Sequence, residues 1–357
     1  MKRVLVTPLD WGLGHATRCV PVIHELLKRK CTVFIAGFGD SLALLKNEFP
    51  LLDSFILHGY HPIYPEQNQM VWKMALQVPK FLQVINREHS EVEAIVTRYK
   101  IDLIISDNRY GCWSQKVPSI IITHQLNILM PKGFGWMAAI VRSVNYKLIK
   151  KFSWCWVPDY SDKERSLSGK LSEYDPKLLS NVVHIGPLSR FKLTEGDRNT
   201  FDLACILSGP EPQRTIFANV VIPQLKASGL RYFIVHGKYF EDELKSEHEA
   251  AILNTDALQT VISRSTIVIT RSGYSTIMDL AAIGKKGIMV PTPGQTEQEY
   301  LAHRYKTRRI LMAMNQDVFD LKKALAESKS YTGFTIDGFD GHSNSALLVQ
   351  AVDHVLQ

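Results

Sequence analysis

The sequence lacks the features of a membrane-spanning or disulfide-bonded protein. No apolar run approaches the roughly 18–20 residues needed to cross a bilayer, so we predict no transmembrane helix. The first 15 residues combine basic side chains with only a brief apolar run, unlike a secretory signal peptide. The five cysteines are scattered and include no Cys-x-x-Cys pair. We therefore expect reduced thiols in a cytoplasmic protein, without a disulfide framework or a zinc site.

Acidic residues are absent from one long basic stretch. Residues 108–158 contain no Asp or Glu, although the whole chain has 35 of them against 42 Lys and Arg. The basic residues of this stretch are Arg109, Lys116, Lys132, Arg142, Lys147, Lys150 and Lys151, and they alternate with aromatic residues that include Trp113, Trp136, Tyr146, Phe152 and Trp156. Such a surface suits anionic lipid headgroups or phosphorylated acceptors, so we expect peripheral contact with the inner face of the cytoplasmic membrane. A partly buried helix with solvated lysines is the simpler alternative. No nucleic-acid-binding module accompanies the charge, and no nucleic acid partner is expected.

Short apolar runs alternate with helical periodicity along the chain. A strand is predicted at 2–7, a turn containing Gly12 and Gly14 follows, and a helix at 16–30 leads to a second strand at 31–36. The alternation restarts at residue 201. This order predicts an α/β protein with two doubly wound, Rossmann-like domains that face each other across a cleft. The N-terminal domain is expected at 1–187 and the C-terminal domain at 188–342, with a final helix at 343–357 packing back on the first.

The stretch 271–303 has the clearest functional pattern. Two predicted helices begin there directly after neighbouring strands, and such helix N-termini offer N–H groups and a positive dipole to a phosphate. Groups suited to a sugar surround these turns: Ser272, Ser275, Thr276, Asp279, Gln295, Glu297 and Gln298. An ordinary βαβ unit with capped helices accounts for Ser275 and Gly284 but not for the polar cluster after Pro293. We therefore interpret the stretch as a phosphate-and-sugar site.

Five short motifs occur together in one known family. Ser272-Gly273 is followed by Asp279, and Pro291 is followed by Gln295 and Gln298. The other motifs are Asp10-x-Gly12-x-Gly14-His15, His124-Gln125-x-Asn127 and Gly186-Pro187-x-x-Arg190. Together they resemble glycosyltransferase family 28, which includes the transferase that adds N-acetylglucosamine in lipid II synthesis.

The resemblance implies a GT-B fold in which the C-terminal domain binds a UDP-sugar. Asp279 would bind the ribose, and Gln295, Glu297 and Gln298 would contact the sugar. Ser272-Gly273 and the helix that begins near Ser275 would hold the diphosphate, with Arg271 or Arg214 as its positive charge. The other residues expected to bind the donor are Ser208, Gly209, Tyr274 and Thr276. The residues expected on the acceptor side are Gly12, Gly14, His124 and Asn127.

The sequence departs from the family pattern in three regions. Trp11 is bulky where the family has more glycine. Pro210 and Pro212 lie in the loop 208–214, where they remove backbone donors that could contact phosphate. Asp279 stands where the family usually has Glu, which is one methylene longer.

The implied reaction transfers a sugar, N-acetylglucosamine or another hexose, from UDP to a hydroxyl of a lipid-linked or cell-envelope glycan acceptor. It needs a base for the hydroxyl proton and positive potential for the departing diphosphate. His15, in the glycine turn, and Asp107, at the end of a predicted strand, are both candidates for the base. No Asp-x-Asp doublet or cluster with metal-ligand spacing occurs, so we expect an inverting displacement without a metal or another cofactor.

Three other functions remain open from the sequence. A nicotinamide dehydrogenase could use Gly12-x-Gly14, but Thr17 stands where its third glycine would be. A UDP-sugar 2-epimerase shares the fold and the donor. A non-catalytic nucleotide-sugar-binding protein would bind UDP without releasing it from any donor.

Overall fold

The chain forms two compact units in a computed structural model that describes residues 1–60, 78–131, 133–192, 200–237, 246–335 and 341–357. The first unit extends to Arg190 and also contains the end of the chain from His342. The second unit begins at Phe191 and ends at Gly341. Both units are built on a parallel sheet, as the alternating pattern predicts.

The first unit contains a seven-stranded sheet in the order β3-β2-β1-β4-β5-β6-β7. Its strands are β1 (Arg3–Pro8), β2 (Thr32–Gly37), β3 (Ser54–Ile56), β4 (Leu103–Asp107), β5 (Ser119–Ile122), β6 (Trp154–Val157) and β7 (Val182–His184). Every pair is parallel, and the central strands are apolar and buried because helices cover both faces of such a sheet.

The helices described before Arg190 are α1 (Gly14–Lys28), α2 (Gly39–Glu48), α3 (Val78–Tyr99) and α4 (Ala138–Ile149). Short 3₁₀ turns lie at Gly135–Met137 and Gly169–Ser172. The sequence predicts that α3 begins at residue 71, but residues 71–77 lie outside the described part of the chain. Val92 and Val96 of α3 pack against Leu5, Phe34 and Ile104 of the sheet.

The second unit contains a six-stranded sheet in the order β10-β9-β8-β11-β12-β13. Its strands are β8 (Phe201–Ile206), β9 (Tyr232–Val235), β10 (Glu249–Ala250), β11 (Ser265–Thr270), β12 (Lys286–Met289) and β13 (Met312–Ala313). Its helices are α5 (Gln213–Lys226), α6 (Thr255–Ser263), α7 (Tyr274–Ala282), α8 (Thr296–Thr307) and α9 (Leu321–Ser328), with a 3₁₀ turn at Gln316–Val318.

The final helix, α10 (Gly341–Leu356), lies with the first unit. Arg29, at the end of α1, donates from Nε to Asp353 Oδ1 over 2.6 Å and from Nη2 to the carbonyl of Val349. These contacts attach α10 to α1.

Each sheet has one point at which the strand order reverses. In the first sheet the chain builds outward from β1 through β2 to β3, then resumes on the other side of β1 with β4. In the second it builds from β8 through β9 to β10, then resumes beside β8 with β11. Ligands of doubly wound folds bind outside the carboxyl ends of the strands at such switch points. Ligand sites are therefore expected at the carboxyl ends of β1 and β4 in the first sheet, and of β8 and β11 in the second.

Candidate functional site

The glycine turn after β1 and the end of β4 are held together at the switch point of the first sheet. Pro8 and Asp107 are register partners, and the Leu9 amide donates to the Asp107 carbonyl over 2.9 Å. The turn then passes through Gly12, whose φ of +86° favours glycine, and enters α1 at Gly14. This path brings His15 and Asp107, which are 92 residues apart in sequence, into contact.

His15 and Asp107 form a hydrogen-bonded dyad. His15 Nδ1 lies 2.6 Å from Asp107 Oδ1. Asp107 is fully buried, whereas the His15 side chain keeps 16% of its surface exposed. Because a carboxylate only accepts hydrogen bonds, His15 Nδ1 carries the proton and Nε2 presents a lone pair. A histidine oriented in this way can take a proton at Nε2.

Arg18 completes the group and was missed by the sequence reasoning. Its Nε donates to Asp107 Oδ2 over 3.0 Å and its Nη2 donates to Oδ1 over 2.5 Å, in the two-pronged geometry of a strong arginine–carboxylate pair. Only 2% of Arg18 is exposed. The available signal was its spacing, since residues three apart on a helix share a face and Arg18 follows His15 by three.

Burial and charge set the protonation of the dyad. Burial lowers the pKa of His15, and the nearby Arg18 charge lowers it further, against the opposing effect of Asp107. Burial alone would raise the pKa of Asp107, but the charges and hydrogen bonds of Arg18 and His15 outweigh it and hold that pKa below its usual value. At neutral pH the group is therefore an arginine–carboxylate ion pair beside a neutral imidazole.

Of the two other polar side chains predicted on the acceptor side, one joins this group. His124 follows β5, is 3% exposed, and has Nδ1 3.0 Å from Arg18 Nη1. Asn127 instead holds its own loop, since its amide nitrogen Nδ2 donates to the Lys170 carbonyl and its backbone N–H donates to the Leu171 carbonyl.

The turns after β8 and β11 lie side by side at the switch point of the second sheet, because Ile206 and Thr270 are register partners. Ser208 and Gly209 follow β8, and Ser272 and Gly273 follow β11. A Cβ atom added to Gly209 or to Gly273 would meet nothing within 4 Å. Open space therefore lies beside both glycines, next to the N-terminal ends of α5 and α7.

Helix α7 carries three of the predicted donor residues along one side. Ser275 and Thr276 lie in its first turn, and Asp279 lies one turn further on. All three are half-buried, whereas Tyr274 is 2% exposed and belongs to the core. The spacings of three and four residues place Ser275, Thr276 and Asp279 on neighbouring positions of the helix surface.

Arg271 supports the loops of this site from within. It is 1% exposed and lies over the Phe217 ring. Its guanidinium donates to the carbonyls of Val290, Pro291 and Gln213 and to Gln316 Oε1. Burial lowers its pKa to about 10, which leaves it charged at neutral pH. Its Nη1 and Nη2 donors face protein oxygens and tie the end of β12 to the start of α5, and the expected diphosphate contact stays a prediction.

Arg214 also makes its described contacts within the protein. Its Nε donates to Glu211 Oε1 over 3.0 Å and its Nη1 donates to the Gly237 carbonyl. It nevertheless keeps 15% of its side chain exposed, so it is the more accessible of the two arginines predicted near the diphosphate.

The polar cluster after β12 is internally braced. Gln298 Oε1 accepts from the Thr292 N–H over 2.9 Å, and its Nε2 donates to Gln295 Oε1. Ser272 Oγ donates to the Gln298 carbonyl over 2.8 Å, which connects this turn to the one after β11. The structure thus brings Ser272, Gln295 and Gln298 together, and Glu297 is half-buried beside them in the first turn of α8.

The basic segment 108–158 reaches the surface only in part. Arg109 is fully buried in an ion pair with Glu88, so it does not belong to an exposed basic face. Tyr146, Phe152 and Trp156 are buried as well. The exposed basic and large apolar side chains between residues 136 and 151 are Trp136, Ile140, Arg142, Val144, Lys147, Lys150 and Lys151, and we call them the α4 surface. Lys116 is also exposed, but it lies before β5 and pairs with Glu93. Lys132 lies outside the described residues. No helix within the described ranges is long and apolar enough to span a bilayer.

Comparisons with known proteins agree with this organisation. Residues 217–329 match the glycosyltransferase family 28 C-terminal domain. An uncharacterized glycosyltransferase of Methanosarcina acetivorans is 24% identical over 322 residues, which cover 83% of this chain and 81% of that protein. The UDP-N-acetylglucosamine--N-acetylmuramyl-(pentapeptide) pyrophosphoryl-undecaprenol N-acetylglucosamine transferase of Bradyrhizobium diazoefficiens is 27% identical over 203 residues, or 52% of this chain and 50% of that one.

The fold is shared with solved glycosyltransferases. The crystal structure of the glycotransferase of kitacinnamycin matches with a TM-score of 0.60 at 15% identity, and the match covers 99% of this chain and 95% of that one. The expected GT-B fold and the resemblance to family 28 are thereby confirmed. The chain is a glycosyltransferase with the GT-B fold, and its residues 217–329 match the C-terminal domain of glycosyltransferase family 28.

Proposed function

We propose that this glycosyltransferase transfers N-acetylglucosamine or another hexose from UDP to a hydroxyl of a lipid-linked or cell-envelope glycan acceptor. The first unit binds the acceptor and supplies the base, and the second unit binds the UDP-sugar. The observation that carries the proposal is the His15–Asp107 dyad at the switch point of the first sheet, with Nδ1 at 2.6 Å from the buried carboxylate.

The chemical step is a single displacement at the anomeric carbon. His15 Nε2 takes the proton of the acceptor hydroxyl as its oxygen forms the new bond to that carbon. The bond between the anomeric carbon and the diphosphate oxygen breaks, and UDP leaves with the electron pair. One displacement of this kind inverts the configuration of the sugar. Asp107 stays ionised throughout and stabilises the imidazolium that forms.

In this proposal the second unit stabilises the negative charge that develops on the departing UDP. The turn at Ser272–Gly273 leads directly into α7, and Ser208–Gly209 precedes α5 by three residues. N–H groups and the helix dipole at such N-terminal ends favour a diphosphate. We propose that the displacement needs no metal.

The test is a panel of nucleotide sugars assayed for UDP release, with and without a membrane-lipid extract. Release that depends on the extract supports transfer to a lipid-linked acceptor. Release of UDP or an epimerised sugar without any acceptor would instead indicate a 2-epimerase. UDP binding without release from any donor would indicate a non-catalytic nucleotide-sugar-binding protein.

Replacing Asp279 with alanine is expected to weaken UDP binding by about tenfold or more. A hydrogen bond from the ribose to a carboxylate contributes about 1.5–3 kcal/mol, and 1.4 kcal/mol corresponds to a factor of ten. Calorimetric titration with UDP measures the change, and circular dichroism checks the fold. Asp256→Ala, which removes an acidic residue from the first turn of α6, is the matched control and should bind UDP normally. Unchanged affinity in the Asp279 variant would remove the ribose contact from the proposal.

We also propose that the α4 surface contacts anionic lipid at the inner face of the cytoplasmic membrane. Trp136, Ile140 and Val144 are spaced four residues apart, and 72%, 57% and 49% of their surfaces are exposed. Exposed Arg142, Lys147, Lys150 and Lys151 surround or follow them. Apolar insertion combined with basic charge is the usual requirement for peripheral binding to an anionic membrane.

The double substitution Trp136→Ser and Ile140→Ser is expected to reduce vesicle binding at least tenfold. Burying one large apolar side chain contributes about 1.5–3 kcal/mol, so losing two side chains that are only partly inserted still exceeds 1.4 kcal/mol. Co-sedimentation with phosphatidylglycerol vesicles measures the loss, and phosphatidylcholine vesicles show the contribution of charge. Ile56→Ser on edge strand β3, where 78% of the side chain is exposed, is the control. Equal binding by the double variant and the control would contradict the proposal.

A further inference from the structure

Arg18 is the only arginine that contacts both histidines and the carboxylate of the first-unit site within the described residues. We propose that Arg18 is a positioning residue whose ion pair with Asp107 fixes His15 and His124 in opposite tautomers. In this arrangement His15 is a proton acceptor at Nε2, and His124 carries its ring proton on Nε2. The use of His15 as the base rests on the function proposed above, whereas the tautomers follow from the contacts of the cluster alone.

The tautomer of His15 follows from the carboxylate. Asp107 Oδ1 lies 2.6 Å from His15 Nδ1 and 2.5 Å from Arg18 Nη2, so both nitrogens donate to one oxygen. Arg18 Nη2 is also 2.7 Å from His15 Nδ1. If Nδ1 instead accepted from the guanidinium, its lone pair would face the carboxylate oxygen at 2.6 Å, which is repulsive. The proton of His15 is therefore on Nδ1 and its lone pair is on Nε2.

The tautomer of His124 follows from the guanidinium. Arg18 Nη1 lies 3.0 Å from His124 Nδ1, and an arginine has only donors. A proton on Nδ1 would therefore place two N–H groups against each other in a site where His124 is 3% and Arg18 is 2% exposed. The neutral imidazole avoids this contact by carrying its proton on Nε2. One ion pair thus imposes opposite arrangements on the two rings, because its carboxylate only accepts and its guanidinium only donates.

The same pair sets the charge of the group. The groups facing His15 are Asp107 from β4, Arg18 from its own helix and His124 from the end of β5. Arg18 and Asp107 together carry no net charge, so His15 is not held as an imidazolium, as it would be beside a lone buried carboxylate. A base must be neutral before it takes a proton, and Arg18 therefore keeps His15 in the form that the proposed reaction needs.

Nitrogen NMR on the full chain tests the tautomers without any substrate. Histidine labelled with ¹⁵N at both ring positions is observed in a long-range proton–nitrogen correlation at pH 7.5, where protonated and unprotonated ring nitrogens differ widely in shift. Signals of the two rings are assigned by their loss in His15→Gln and His124→Gln. We expect His15 with its proton on Nδ1 and His124 with its proton on Nε2. The same tautomer in both rings would overturn the proposal.

Two substitutions of Arg18 then separate positioning from simple support of the fold. In Arg18→Met, the His124 signals should move from a single tautomer to a mixture, and His15 should become protonated at higher pH. In Arg18→Lys, one ammonium group should pair with Asp107 and restore the wild-type titration of His15, without restoring His124. Arg29→Met, at the other end of α1, is the control and should leave both rings unchanged.

The outcomes distinguish this inference from the proposed function. Unchanged tautomers in Arg18→Met would overturn the role of Arg18 even if the enzyme transfers sugar as proposed. Opposite tautomers in the wild type, with a mixture for His124 in Arg18→Met, would support the role of Arg18 even if no donor or acceptor were turned over. If Arg18→Met does not fold by circular dichroism, the wild-type and Arg18→Lys spectra decide the question.

Discussion

Replacing His15 with alanine is expected to reduce turnover by about 10²–10⁴-fold while leaving the affinity for UDP unchanged, since general base catalysis contributes a factor of this size. His15 presents Nε2 because Nδ1 is held by Asp107, and no other histidine in the described part of the chain contacts that carboxylate. The proposed donor-binding residues belong to the second unit, so we expect the affinity for UDP not to depend on His15.

Turnover is measured as UDP release at saturating donor and acceptor, and calorimetry with UDP checks donor binding. His184→Ala is the matched control. His184 is also a half-buried histidine of the first unit, and burial lowers its pKa as well, but it lies on β7 at the far edge of the sheet. Normal turnover in His15→Ala would assign the base to another group, and Asp107 would be the first alternative.

The pH dependence of kcat/KM reports the same base. Burial and the Arg18 charge lower the pKa of His15 from its ordinary value of 6.5. Because the neutral form is the active one, activity should persist below pH 6.5 and decline only as the pH falls through the lowered pKa. If kcat/KM instead fell in acid with a midpoint above pH 6.5, the result would contradict a lowered pKa of His15.

Local patterns in the sequence predicted the strands and the places where they end. Runs such as the buried residues of β1 and β4 are apolar because helices cover both sheet faces, and the predicted site residues lie at the ends of such strands or in the turns and helices that follow them. Two helices of the second unit, α6 and α9, were not predicted. Their N-caps, Asn254 and Asp320, were present as local signals, since each side chain accepts from the backbone three residues on.

The partners of buried charged side chains could not be predicted from local sequence patterns. Arg18 pairs with Asp107 across 89 residues, and Arg109 pairs with Glu88 inside the core. Arg271 is satisfied largely by main-chain carbonyls, which every residue offers. A sequence shows that a side chain is charged but not which distant group faces it. For this reason the packing role of Arg271 was not predicted, and Arg18 was overlooked.

The segment 159–181 illustrates the same difficulty. Its polar composition predicts a surface excursion, but Asp159 and Ser168 are fully buried. Asp159 accepts hydrogen bonds from the Leu167 and Ser168 N–H groups and from the Ser166 hydroxyl. The prediction holds for most of the segment, since residues 161–165, 170, 173, 175–178 and 180 are exposed. It missed the buried centre, where the polar groups of the loop satisfy one another around a single carboxylate.

Replacing Asp107 with asparagine is expected to destabilise the first unit by about 3–5 kcal/mol at pH 7.5. The substitution leaves the Arg18 guanidinium in a buried site without its counter-charge, and stranding one member of a buried pair has a cost of this size. All six tryptophans lie between Trp11 and Trp156, so their fluorescence during urea unfolding reports this unit. Asp53→Asn, at an exposed position before β3, is the control and should unfold as the wild type does.

The loss of stability caused by Asp107→Asn should decrease as the pH is lowered. Arg18 and His15 hold the pKa of Asp107 below its usual value, so the folded state binds the proton less readily than the unfolded chain. The carboxylate therefore stabilises the fold fully above the unfolded pKa of 3.8, and this contribution is lost as the pH falls through the lowered pKa. The difference in stability between the wild type and Asp107→Asn should be largest near neutral pH and should shrink below about pH 4.

A double variant separates the stranded charge from other effects of the substitution. In Asp107→Asn combined with Arg18→Met no buried guanidinium remains, so part of the lost stability should return. Turnover should not return with it, because the Nδ1 proton of His15 no longer has its carboxylate partner. Recovery of both stability and turnover would mean that the unpaired Arg18 charge, and not the loss of the His15–Asp107 hydrogen bond, had reduced turnover. Failure to recover stability would mean that Asp107 supports the fold through its contact with His15 and not through Arg18.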